Sequence, residues 1–196
     1  MDKNLTSRQK QAIETKRRLY RSAVELFKQY PYDEVKITDI CEKANVSVGV
    51  FYHYFESKRD ILHEAYLNFD NELEEALEIV KTTSPIDNII SIVEMYLDKT
   101  ANIGPKYRNL FLRNELEMGY DDITSRKRES YQEVLENVKA AVDQGLLIGD
   151  ENEITDDILR CLKGIVYHWS LYEGSIDLVE EGLRIAKILI DYYSKK

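Results

Sequence analysis

Ile37 to Leu62 reads ITDICEKANVSVGVFYHYFESKRDIL, and the order of apolar, small and aromatic residues in it decides the fold. A short helix over Thr38–Ala44 puts Ile40, Cys41 and Ala44 on one face, a small buried stripe. Asn45 follows, one of the few non-glycine residues that enters the left-handed region cheaply, so it can end that helix and turn the chain. Val46 can fill the space between helices. Ser47 suits an N-cap, because its hydroxyl can accept a bond from a free backbone N–H. The helix it opens, Val48–Tyr54, is short, aromatic and nearly uncharged. Ser57, with Asp60 three residues on, makes an acidic variant of a capping box and starts a third helix. Helix, tight turn, second helix is the unit whose second helix enters the major groove of DNA.

Working outward, residues 15–62 resemble the DNA-binding domain of the tetracycline-repressor (TetR) family. The first-helix pattern stands as Leu19-Tyr20, Ser22-Ala23 and Leu26-Phe27. The next block stands as Asp39-Ile40-Cys41, Ala44-Asn45-Val46-Ser47, Gly49-Val50-Phe51-Tyr52, Phe55 and Ser57-Lys58. A match this dense over about fifty residues is far more specific than a lone short motif. Four positions depart from the pattern. Pro31 stands where the turn usually has glycine, and its fixed φ and missing N–H should stop the first helix at or before Tyr30. Lys36 replaces the usual Ser/Thr cap of the second helix. Val48 and Val50 replace the common Lys and Thr of the recognition helix, which removes two polar contacts; valine can still touch a thymine methyl group.

The resemblance implies an all-α protein of about nine helices, with a three-helix helix-turn-helix head over 1–57 (the motif at about 36–55). A helical effector-binding and dimerisation body follows over 58–196. Carried over residue by residue, the DNA contacts are Lys36, Thr38, Ser47, Val48, Gly49, Val50, Tyr52, His53 and Lys58. Gly49 has its own physical reason, since the absence of a Cβ lets the helix lie close to the phosphates. Lys58 sits at a helix N-terminus, where the dipole favours anions, so holding a phosphate makes sense of it. Phe51 and Phe55, four apart, are expected in the core.

Charge fits a DNA partner only once it is divided. The chain carries −9, yet residues 1–60 hold 12 Lys/Arg against 9 Asp/Glu, a local +3 that leaves −12 for the remainder. Phosphate attraction acts over a Debye length of ~8–10 Å, so the sign at the contact face matters more than the total. Lys16, Arg17, Arg18 and Arg21 begin the first helix, and Arg8 and Lys10 can lie alongside DNA; a solvated helix face is an equal reading for any one of them. With 43% apolar and 32% charged residues in 196, the composition is globular and long enough for a real core. No apolar run approaches the ~18 residues of a membrane span and the amino terminus is polar, so a cytoplasmic protein is expected. Cys41 and Cys161 imply no disulfide framework, and with three histidines they form no metal spacing, so neither metal nor cofactor is expected. A Gly-rich phosphate loop, a nucleophile elbow and a His-carboxylate signature are absent, which argues against an enzyme.

From Lys58 the sequence is helical almost throughout. A helix over Lys58–Lys81 carries Ile61, Leu62, Ala65, Tyr66, Phe69, Leu73, Leu77 and Val80 at steps of three and four, a lever between head and body. Pro85 fits the first turn of the next helix, which runs to about Ala101. Gly104-Pro105 introduces a helix ending near Gly119; others follow over Thr124–Gln144, Thr155–Glu173 and Ile176–Ser194. By resemblance the last two helices pair two subunits, with Ile158, Leu162, Ile165, Leu183, Ile188 and Tyr192 as interface candidates. Gly164 inside that pattern costs about 1 kcal/mol against alanine, suggesting that another helix approaches there. Ordinary intrachain core is the alternative for each. Aromatics with polar tips on apolar faces suggest an effector pocket from Tyr96, Tyr107, Phe111, Glu115, Met118, Tyr131, Tyr167 and Trp169. The implied function is a dimeric repressor released from a double-stranded DNA operator by a small molecule. The alternative is a DNA-binding protein whose body receives a protein partner.

Overall fold

A computed structural model of the chain describes residues 6–65, 68, 82–118, 126 and 128–194, without the side chains at 114, 115, 117 and 118. The described residues are helices and connecting turns, with no strand among them. They belong to two compact units, Met1–Asn68 and Phe69–Lys196.

The first unit holds α1 (Ser7–Gln29), α2 (Ile37–Ala44), α3 (Val48–Tyr54) and α4 (58–65). Thr6 opens α1 through a reciprocal box: its Oγ1 accepts the Gln9 N–H at 3.3 Å, and Gln9 Oε1 accepts the Thr6 N–H at 2.9 Å. Pro31 ends α1 as expected, with Gln29 the last helical residue. Leu19, Ala23, Phe27, Ile40, Cys41, Ala44, Phe51, Phe55, Ile61 and Leu62 are all buried. Phe51, at 0% exposure, is among the largest side chains fully out of water. Burial also pushes the Cys41 thiol pKa up, which suits a core residue rather than a reactive one. Because α4 buries Ile61, Leu62 and Ala65, the first unit runs past the expected break after Ser57. The expected helix over Lys58–Lys81 is described only through 65 and at 68; the rest lies outside the described residues.

The second unit holds α5 (Pro85–Ile103), α6 (Pro105–Met118), α7 (Glu129–Asp143), α8 (Glu151–Leu171) and α9 (Leu178–Ser194). Helix α5 packs on α7 and α9, α8 packs on both of those, and α6 lies against α8. Ile89, Val93, Leu97, Val138, Ile154, Ile158 and Val166 form the centre of the core. Two helices start at places that apolar periodicity misses. Helix α8 begins at Glu151, before the expected Thr155, because the Asp150 carboxylate accepts the N–H groups of Asn152 and Glu153 at 3.0 Å each. Asp177 does the same for Val179 and Glu180, so α9 begins at Leu178 rather than Ile176.

A buried amide joins α5 to α7 and to the loop before α5. Asn88 Nδ2 donates to Thr82 O at 3.1 Å and to Asn137 Oδ1 at 3.0 Å. Its Oδ1 accepts from Thr82 N at 2.8 Å and Thr82 Oγ1 at 2.9 Å, so both donors and both lone pairs are matched. At Gly164, where a close helix approach is expected, a Cβ would meet nothing within 4 Å among the described residues. A close approach occurs at Gly182 instead, where a Cβ would overlap the fully buried Leu97 side chain.

Candidate nucleic-acid interface

The turn between α2 and α3 is built as its residues demand. Asn45 sits at φ 53°, ψ 54°, in the left-handed region, and its N–H returns to Glu42 O at 3.0 Å. Val46 N then bonds Cys41 O at 3.0 Å, closing the end of α2. Ser47 Oγ accepts the Val50 N–H at 3.3 Å and caps α3. At the start of α2, the Lys36 side chain has no acceptor to offer. Asp39 supplies the other half of a capping box, its Oδ2 accepting the Lys36 N–H at 2.8 Å. Asp60 does likewise for α4, accepting from Glu56 N and Ser57 N while Ser57 Oγ donates to it at 3.0 Å.

These caps fix the register of α3, and register decides what faces outward. Phe51 and Phe55 turn inward, their rings 5.9 Å apart, as expected. Val48, Gly49, Tyr52 and His53 are exposed and share the opposite side of the helix. Val48 is 40% and Tyr52 56% exposed. Tyr52 meets Phe51 edge-on at 5.5 Å, and His53 meets Tyr54 at 4.9 Å, contacts that hold the rings in place without using their polar tips. A Cβ on Gly49 would touch only Ser47 Oγ at 3.8 Å, so nothing inside the chain requires glycine there. Ser47, Lys36 and Thr38 are exposed as well, and Val50 is half-buried on the flank of α3.

Lys58, expected to hold a phosphate, also makes contacts within the chain. Its Nζ donates to Tyr32 O and Val35 O at 2.6 Å each and stands 4.4 Å from the centre of the Tyr32 ring. Two of the ammonium's three hydrogens therefore hold the α1–α2 loop, a tertiary contact that helix-dipole reasoning on sequence does not reveal. Of the other basic residues, Lys16 pairs with Glu64 at 2.8 Å and Lys43 with Glu25 at 2.9 Å. Arg8, Lys10, Arg17, Arg18, Arg21 and Lys36 are exposed and have no ion-pair partner among the described residues. The head thus presents an exposed aromatic face together with cations that have no ion-pair partner among the described residues, an arrangement suited to a polyanion with edges to be read.

The residues expected to form a pocket divide. Tyr107 and Phe111 are buried on α6 with rings edge-on at 4.9 Å, Trp169 is buried on α8, and Tyr96 is half-buried on α5. Ser170, beside Trp169, is buried with no hydrogen-bond partner for its hydroxyl among the described residues, and Arg108 is buried beside Tyr107; neither was a pocket candidate from sequence. Tyr131 is buried, but its hydroxyl is tied to Asp156 Oδ1 at 3.0 Å. Burial and then that bond raise the Tyr131 pKa. Burial would raise the Asp156 carboxyl too, but the bonds from Tyr131 and Arg126 and the charges of Arg126 and Arg160 outweigh it and hold the pKa below the usual value. Tyr167 is 54% exposed on α8. The side chains of Glu115 and Met118 lie outside the described residues.

The interface candidates divide in the same way. Ile158 and Leu162 are buried in the intrachain core, and Ile165 and Leu183 are half-covered by it. Ile188 and Tyr192 are exposed on α9 at 52% and 72%. Tyr167 and Leu171, at 54% and 60%, form a second exposed stripe on α8 beside Gly164, at i, i+3 and i+7.

A capped, left-handed turn that presents a second helix outward defines a helix-turn-helix DNA-binding protein. Comparison agrees with that class: residues 19–65 match the model of bacterial regulatory proteins of the tetR family. Solved structures agree on the fold. FadR of Thermus thermophilus, a TetR-family transcriptional repressor in complex with lauroyl-CoA, is 21% identical, with 92% of this chain and 95% of that one covered at a TM-score of 0.64. A TetR/AcrR-family regulator from Thermobifida fusca YX-ER1 is 21% identical over 93% and 100% of the two chains, TM-score 0.68. SmeT, in its triclosan complex, is 16% identical over 93% of each, TM-score 0.69. No curated protein matches the sequence.

Proposed function

We propose that this protein is a cytoplasmic homodimeric repressor that binds a double-stranded DNA operator and is released by a small-molecule effector held in the second unit. The observation that carries the DNA reading is the outward face of α3, with Val48, Gly49, Tyr52 and His53 exposed together, in a unit whose exposed cations Arg8, Lys10, Arg17, Arg18, Arg21 and Lys36 have no ion-pair partner among the described residues. The apolar stripes of Tyr167 and Leu171 on α8 and of Ile188 and Tyr192 on α9 support a second copy as the partner of that surface. A two-fold pair of heads reads half-sites about one helical turn apart, ~34–36 Å. An effector site is supported by Tyr107, Phe111, Trp169 and the unsatisfied Ser170 hydroxyl, and by the ligands held in the FadR and SmeT structures. Such a ligand acts only through its difference in affinity for the DNA-binding and released states, about 1–3 kcal/mol of coupling.

The test is selection of genomic fragments by the purified protein, followed by titration of the best fragment against salt and against a small-molecule library. The reading expects a pseudo-palindromic site, a steep fall of affinity with salt, and at least one compound that weakens DNA binding while raising the melting temperature. A sequence-specific dimer that answers to no compound but copurifies with another protein would replace the effector by a protein partner.

A further inference from the structure

The recognition helix carries none of the side chains that read base edges by paired hydrogen bonds. Val48–Tyr54 is VGVFYHY, with no Arg, Lys, Asn, Gln, Asp or Glu. Guanine is ordinarily read by Arg or Lys, adenine by Asn or Gln, and cytosine by a carboxylate. The Ser47 hydroxyl just ahead of the helix accepts the Val50 N–H, which leaves it a single O–H to donate and no paired contact to a base edge. What remains on the outward face is Val48, the bare backbone of Gly49, and the tips of Tyr52 and His53.

Val48 is the anomaly. The other side chains of α3 and its C-cap that have no polar atom have cover: Phe51 and Phe55 are buried, and Val50 is half-buried. Val48 heads the helix at 40% exposure, four residues before Tyr52 and on the same face. A β-branched residue there is a poor helix former, and it gains little packing from the chain. The N-terminal residues of a recognition helix are the ones that reach base edges. The apolar feature the major groove offers them is the C5-methyl group of thymine. Gly49, with nothing near its Cβ position but Ser47 Oγ, removes the bulk that would hold Val48 away from the groove floor.

We propose that Val48 is a specificity-determining residue that reads a thymine methyl group in each half-site of the operator; this rests on the DNA-binding function proposed above. Val50 is on the flank of the helix and contributes little to that reading.

The test uses the full-length protein and its selected operator, with each thymine replaced in turn by deoxyuridine. That change keeps base pairing and every hydrogen-bonding edge and deletes only the methyl. The expected result is one position per half-site where affinity falls about fourfold, and about fifteenfold when both half-sites are changed, the loss for one buried methyl-sized group and for two. In Val48→Ser the two operators should bind equally, and Val50→Ser should keep the wild-type discrimination. A deoxyuridine scan that is flat on an operator the protein binds specifically would overturn the inference and leave DNA binding standing. So would a methyl effect that survives Val48→Ser. An absence of any preferred sequence would overturn the DNA reading and this inference with it.

Discussion

Helices α3 and α9 each bury one side and leave the other in water, and the chemistry of the open sides differs. On α3 the open side is a glycine, a valine and two rings with polar tips. On α9 it is Ile188 and Tyr192, with Tyr167 and Leu171 open on neighbouring α8. The first surface suits a hydrated, charged and grooved partner. The second loses apolar area from water only by meeting something equally apolar. Exposure alone does not distinguish a reading face from a pairing face; the composition of what is exposed does.

The strongest way to break this comparison is to remove the core beneath the first surface. Phe51→Ala should cost about 3–5 kcal/mol and abolish operator binding. The single tryptophan, Trp169, lies in the second unit, so its emission should still report a folded body. If operator affinity survived, α3 would not be the reading element.

Next, Ile188→Glu should weaken self-association by about thirtyfold or more, the effect of losing ~2 kcal/mol at an interface centre. Sedimentation velocity would read it, and an unchanged dimer would move the interface elsewhere. Two lysines sharpen the comparison on the DNA side. Lys58→Met should destabilise the head by about 1–3 kcal/mol, since it strips two carbonyls of their charged donor, and leave the salt dependence of DNA binding unchanged. Lys36→Met should leave stability alone and reduce the slope of log affinity against log salt by about one.

The smallest effect is at high pH. The hydrogen bond from the Tyr193 hydroxyl to Asp157 Oδ2, at 2.6 Å, together with burial, pushes the Tyr193 pKa up to about 12 from 10.0. A raised pKa means stability that is complete below pH 10 and lost as pH climbs towards 12. Tyr193→Phe should cost about 1 kcal/mol at neutral pH and flatten that alkaline loss in thermal melts.

Much of the head was legible in sequence because its signals are local. Asn45 at the left-handed turn, Ser47 on the Val50 N–H and Pro31 at the end of α1 each act within a few residues. Lys58 was not legible, since the carbonyls it holds are 26 and 23 residues away. The body gave its helices through periodicity, which shows that a face is apolar without saying what covers it. Ile158 and Ile188 look alike in a heptad, yet one is core and the other open. Tyr131 and Tyr167 look alike as pocket residues, yet one is tied to Asp156 and the other points outward. Gly182 and Gly164 look alike too, and only Gly182 meets a neighbour. The signals that could have found the true helix starts, Asp150 and Asp177, were plain N-cap residues passed over in favour of apolar spacing.

The most direct test of the central claim is the ratio of operator affinity to random-DNA affinity for wild type and Gly49→Leu. The chain has room for a side chain at position 49, and leucine favours a helix more than glycine does, so the head should fold as well or better. Wild type should prefer its operator by about 10³ or more, and the variant should lose most of that preference with its melting temperature intact. An unchanged ratio in Gly49→Leu would contradict the account, because a helix seated in the groove by that face has no room for the added bulk.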